Sequence, residues 1–200
     1  MQSRSWLVVI VLFLLCPWLV AQKVPAGTVA TDVATGLDSP TLEKVIRDQF
    51  GKGYKLLPGC APLVADFDGD GVEDLAVAAK TNNPLLNAVE FHYTVIDPYH
   101  SFFGYGNAKT MMEYGADDPR LAGQVVLIIH GAGEGAWRAA QPKSKFVVVN
   151  LPYIRLSLSH VLRHKKPLAA VAAEEPDKVT SVVYWDGKKY KYEPMGADAD

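Results

Sequence analysis

Cysteine is nearly absent from this chain, with two in 200 residues, at positions 16 and 60. Cys16 lies inside an apolar N-terminal run that reads as an export signal. The mature protein then keeps Cys60 alone, which excludes an intramolecular disulfide even in an oxidising compartment. Set between Gly59 and Ala61, Cys60 reads as a small buried hydrophobe rather than a nucleophile. An excess of one charge is lacking as well. Twenty Lys and Arg meet 22 Asp and Glu, for a net charge of −2, and this balance argues against a nucleic-acid binder working through a basic surface. No apolar stretch beyond Ala21 approaches the roughly 20 residues of a membrane-spanning helix. The chain has no Gly-x-Ser-x-Gly elbow and no internal repeat.

What is present begins with Arg4, the apolar run Trp6 to Cys16, and Ala21 before Gln22. That order is the signature of a secretory signal over residues 1–21, with cleavage after Ala21. If it is retained, the segment becomes an anchor and the one route to a membrane; Gln22 as the first residue of the exported protein would exclude that. The expected location is secreted or periplasmic. Residues 22–38 are small and polar and read as a flexible linker, residues 39–195 as one β-rich domain, and residues 196–200 as a disordered tail.

Within the domain, Ser39-Pro40 opens a helix whose Leu42, Val45, Ile46 and Phe50 share a face, and Gly51 and Gly53 stop it. Short runs of Val, Ile and aromatics then predict strands over 54–57, 61–65, 75–79, 88–96, 124–129, 145–150, 168–173, 180–185 and 190–192. Asp186-Gly187 marks a tight hairpin. A helix is expected around Ala108 to Tyr114, and residues 154–164 fit helix or strand. The fold class is mainly β (α+β), antiparallel strands with an N-terminal helix, and not a complete propeller.

The most specific stretch is Asp66-Phe-Asp68-Gly-Asp70-Gly71-Val72-Glu-Asp74-Leu75, set between two apolar runs. Aspartates at loop positions 1, 3, 5 and 9 with Gly at position 6 match calcium-loop spacing. Carboxylates two residues apart on a curling loop repel one another, and a hard divalent cation relieves the repulsion. The Val72 carbonyl would supply the position-7 ligand, and Asp74 would bind directly or through water. Position 12 is Val77 rather than Glu, so a strand–loop–strand site is expected instead of a helix-flanked one.

These residues, Asp66 through Val77, resemble the calcium loop of FG-GAP/VCBS-type repeats, as in integrin-alpha-like propellers, here in a bacterial-type exported protein. The resemblance covers about twenty residues, Ala61 to Lys80, and implies that Asp66, Asp68, Asp70 and Asp74 ligate calcium. One such loop does not make a propeller. The function expected is therefore a non-catalytic, calcium-binding domain with a structural or binding role at the envelope or outside the cell, its partner an unknown protein or glycan ligand and not a nucleic acid.

The rival reading is a small hydrolase. Val125 to Gly135 resembles the strand and His-Gly-x-Gly turn that forms the oxyanion hole of α/β-hydrolases, but no nucleophile is visible to accompany it. His160 and His164 would share a helix face at metal-ligand spacing, although Arg163, Lys165 and Lys166 crowd them with positive charge. The aromatic-rich stretch holding His92 and His100 reads as core before surface.

Overall fold

Pro40 in the first turn and an apolar stripe at Leu42, Ile46 and Phe50 make α1 (Ser39–Phe50), and the stripe is the buried face. The computed structural model describes residues 39–104, 122–176 and 178–196. The signal, the linker, the tail from 197 on and the helix expected at 108–114 lie outside the described residues. Gly51 ends α1 in the left-handed region (φ +87°), with its N–H on the Arg47 carbonyl at 3.0 Å.

α1 covers one face of a six-stranded sheet. Its centre is β3 (Asp74–Lys80), flanked on one side by β1 (Lys55–Leu56) and β2 (Leu63–Ala65), which pair with different halves of β3. On the other side follow β5 (Gln124–His130), β6 (Ser144–Val149) and, at the edge, β4 (Thr94–Ile96). All of these pairs are antiparallel except β4 with β6, which is parallel. The long connection between β4 and β6 permits that orientation, which a tight hairpin could not.

A second sheet is a four-stranded antiparallel meander of β7 (Arg155–Arg163), β8 (Lys166–Glu175), β9 (Lys178–Trp185) and β10 (Tyr190–Pro194). It covers the opposite face of the first sheet. Thus β3 sends Leu75, Val77 and Ala79 toward α1, and Ala76 and Ala78 toward Val171, Ala173 and Val183 of the second sheet. Strands covered on both faces need apolar side chains on both, which is why the runs at 75–79, 124–129 and 146–149 are continuous rather than alternating.

Several expectations need correction. The strand expected over 88–96 is confined to β4. Residues 84–92 turn instead, and the segment is pinned because Tyr54 donates to the Pro84 carbonyl and Tyr93 to that of Leu86. The ambiguous stretch 154–164 is strand β7 followed by a two-residue turn at His164 and Lys165, both left-handed (φ 48° and 66°). On an extended chain at about 3.3 Å per residue, two histidines four apart are too far separated to share one ion. The Asp186-Gly187 hairpin is present, with positive φ at Gly187 and the Asp186 carboxylate accepting the N–H groups of Lys188 and Lys189. Unforeseen are a short helix α2 (Pro98–Phe102), capped by Asp97, and a 3-10 helix at Gly133–Arg138. The aromatic stretch divides. Tyr93 is core, while Phe102 and Phe103 are half exposed beside Tyr192. Cys60 is half-buried against the second core, where burial pushes its thiol pKa up. Among the described residues no helix is long and apolar enough to cross a membrane.

Candidate metal centre

The acidic loop joins two paired strands. Ala65, ending β2, faces Asp74, opening β3, and residues 66–73 close the hairpin between them. The expected strand–loop–strand arrangement is therefore present. Phe67 anchors the loop by burying its ring in the core between the sheets.

The loop curls because its own carboxylates capture its backbone. Asp66 Oδ1 accepts the N–H groups of Gly69 (2.7 Å) and Asp70 (3.1 Å), and its Oδ2 accepts that of Gly71 (2.8 Å). Asp68 accepts from Asp70, and Asp70 from Val72 at 2.9 Å. Such a coil requires left-handed residues, and Gly69 (φ +79°) and Gly71 (φ +87°) supply them.

Asp74 does a different job. It is buried, and its two oxygens accept three backbone N–H groups: Phe67 at 2.8 Å, Asp68 at 3.3 Å and Gly131 at 2.7 Å. It ties the start of the loop to the end of β5. Burial, partly offset by those N–H donors and reinforced by the charges of Asp68 and Asp66, pushes its pKa up to about 7. Gly131 is a close-approach position, since a Cβ there would lie 2.3 Å from the Glu73 carbonyl oxygen.

Two residues that the spacing of aspartates could not reveal complete the cluster. Lys143 precedes β6, its N–H bonded to the His130 carbonyl at 3.0 Å. Its ammonium bridges Asp68 Oδ2 (2.7 Å) and Asp70 Oδ2 (2.6 Å). The contact holds the Asp70 carboxyl below the usual carboxylate range and raises the lysine's own pKa. His130, at the end of β5, is fully buried, with Nδ1 3.0 Å from Ser144 Oγ and 3.3 Å from Asp68 Oδ2, and Nε2 2.6 Å from the Tyr190 hydroxyl. Burial lowers the imidazole pKa and raises that of Tyr190 well above its ordinary value. The neutral ring therefore has a hydroxyl at Nε2 and a carboxylate at Nδ1, and the tautomer with its hydrogen on Nδ1 is the one that presents a donor to that carboxylate. Phe146, Trp185 and Tyr190 pack around the ring.

The four aspartates thus fall into two overlapping sets whose ligand atoms lie within 4.8 Å of one another: Asp66, Asp68 and Asp70 at the surface, and Asp68, Asp74 and His130 inside. Either set could hold a metal ion. Both sets are engaged in protein hydrogen bonds, Asp66 of the outer set and Asp74 of the inner set accepting three backbone N–H groups each. The outer set is reachable from solvent at Asp70, and a cation already stands between two of its members. Hard carboxylate oxygens grouped around a positive charge fit a hard cation. Val72 is half-buried beside them.

The first two amides of the turn after β5 are engaged elsewhere. The Gly131 N–H goes to Asp74, and that of Ala132 to the Ala136 carbonyl at 3.1 Å. Neither is aimed at an incoming oxyanion. Comparison with known proteins returns no match: no family model, curated protein or solved structure aligns with the chain.

Proposed function

We propose that the loop Asp66–Asp74 binds calcium and that the ion clamps β2 to β3 in an exported, non-catalytic domain serving a structural or binding role. The observation that carries this reading is that Asp66, Asp68 and Asp70 bring carboxylate oxygens within 4.8 Å of one another, and that two of them, Asp68 and Asp70, already share the positive charge of Lys143. In the calcium form Asp66, Asp68, Asp70 and the Val72 carbonyl would face the ion, with Asp74 bracing the loop from behind or reaching it through water. The resemblance to FG-GAP/VCBS-type loops supports calcium over other hard cations. An affinity in the extracellular range, roughly 10⁻⁴ to 10⁻³ M, matches a secreted or periplasmic domain. Its partner would be a protein or a glycan.

The test is thermal unfolding of the purified exported protein with excess calcium and with chelator, beside Asp68→Ala and Asp70→Ala. Calcium should raise the midpoint of the unsubstituted protein by several degrees and leave both variants unmoved, because a ligand of the folded state alone stabilises it. Superimposable curves with and without calcium would sink the reading.

A further inference from the structure

Lys143 reaches the acidic loop from far along the chain, and its position is set by the sheet rather than by the loop. Its N–H is bonded to the His130 carbonyl, and the next residue, Ser144, is paired with His130 at the start of β6. From that fixed backbone the side chain delivers its ammonium between Asp68 and Asp70. The Asp68 side chain is only 3% exposed, whereas that of Lys143 is 49% exposed. The carboxylate is therefore held in place while the lysine stem has open water beside it. A divalent ion bound to the same two oxygens would stand within a few ångströms of the ammonium, and charges of one sign at that distance repel strongly.

Resting on the calcium reading above, we propose that Lys143 is an internal competitor for the cation position, so that metal binding is an exchange in which the ammonium is displaced into solvent. The loop is then never bare. Without metal the lysine neutralises it and keeps the β2–β3 hairpin curled; with metal the lysine is released. The exchange makes calcium binding weaker than the same carboxylates would give alone, and it couples occupancy of the loop to the exposure of one surface amine.

Two measurements on the full exported protein test this. Calorimetric titration with calcium should show Lys143→Met, which keeps the stem and removes the charge, binding about tenfold tighter than the unsubstituted protein, equivalent to one charge contact relieved. Lys143→Arg, which keeps the charge, should stay within a few-fold of it. Independently, acylation of Lys143 by an amine reagent, read by peptide mass spectrometry, should rise when calcium is added, and should already be high in Asp70→Ala without calcium. Equal affinities for Lys143→Met and the unsubstituted protein, or acylation of Lys143 that calcium does not change while calorimetry shows binding, would overturn the exchange and leave the calcium site standing. Absence of calcium binding in every variant, Lys143→Met included, would overturn the calcium reading and the exchange together. Should Lys143→Met unfold without its counter-charge, the acylation of the unsubstituted protein decides alone.

Discussion

Asp70 and Asp74 show how two residues of one type in one loop carry different work. Asp70 is at the surface and its carboxylate meets Lys143 and one backbone N–H. Asp74 is buried and satisfies three N–H groups, one of them from the turn after β5. Removing an acceptor from buried donors costs about 1–3 kcal/mol, while a surface substitution usually stays within about 0.5 kcal/mol. In chelator, Asp74→Ala should therefore lower stability by about 2 kcal/mol or more and Asp70→Ala by a small fraction of that, as read by urea unfolding. Equal losses would mean that Asp74 is no tie. The spacing of the aspartates identified both as candidates; it could not separate them, because burial is a property of what packs around the loop.

At the scale of elements, the β7–β8 hairpin turns on His164 and Lys165, both left-handed although neither is Gly or Asn. That conformation costs an ordinary residue roughly 1 kcal/mol, and two-residue hairpin turns favour Asn-Gly for this reason. Replacing the pair by His164→Asn and Lys165→Gly should raise the unfolding free energy by about 1 kcal/mol without altering calcium response. A loss of stability would show that the two side chains hold the turn through contacts of their own. The strand preceding this turn was ambiguous in sequence because Leu156, Leu158 and Leu162 fit either period. The second sheet resolves it, since an extended segment there completes the ladder with β8.

At the scale of the whole molecule, the described residues all belong to one compact unit, whose three layers bury several tyrosines. Tyr54, Tyr93 and Tyr153 all have pKa values raised, chiefly by burial, above the ordinary 10. A group whose folded pKa is raised contributes stability that is intact below its unfolded pKa and lost as pH climbs above it. The contribution of these tyrosines should thus be intact up to about pH 10 and be lost beyond that, with cooperative unfolding. Tyrosinate absorbance and loss of far-ultraviolet circular dichroism should rise together. Full tyrosinate formation in a protein that keeps its circular dichroism would show that these rings reach water in the native state.

The chain by itself determined its elements wherever one residue's chemistry decides the local backbone. Pro40 and Gly51 bound α1, the apolar runs make strands, and Asp66, Gly69 and Gly71 coil a loop most of whose backbone N–H groups are held by its own carboxylates. These are interactions between near neighbours, so spacing reveals them. Tertiary structure alone decided the layering of helix and two sheets, the parallel edge strand, and the partners of the loop. His130 and Lys143 stand 56 and 69 residues beyond Asp74 in the chain and carry no motif that points to it. They arrive because β5 and β6 pair beside β3 in a register that brings His130 opposite Ser144. A register is fixed by the fit of whole strands against two cores, so the charge that meets the acidic loop is settled by packing at a distance, which no pattern within the loop encodes.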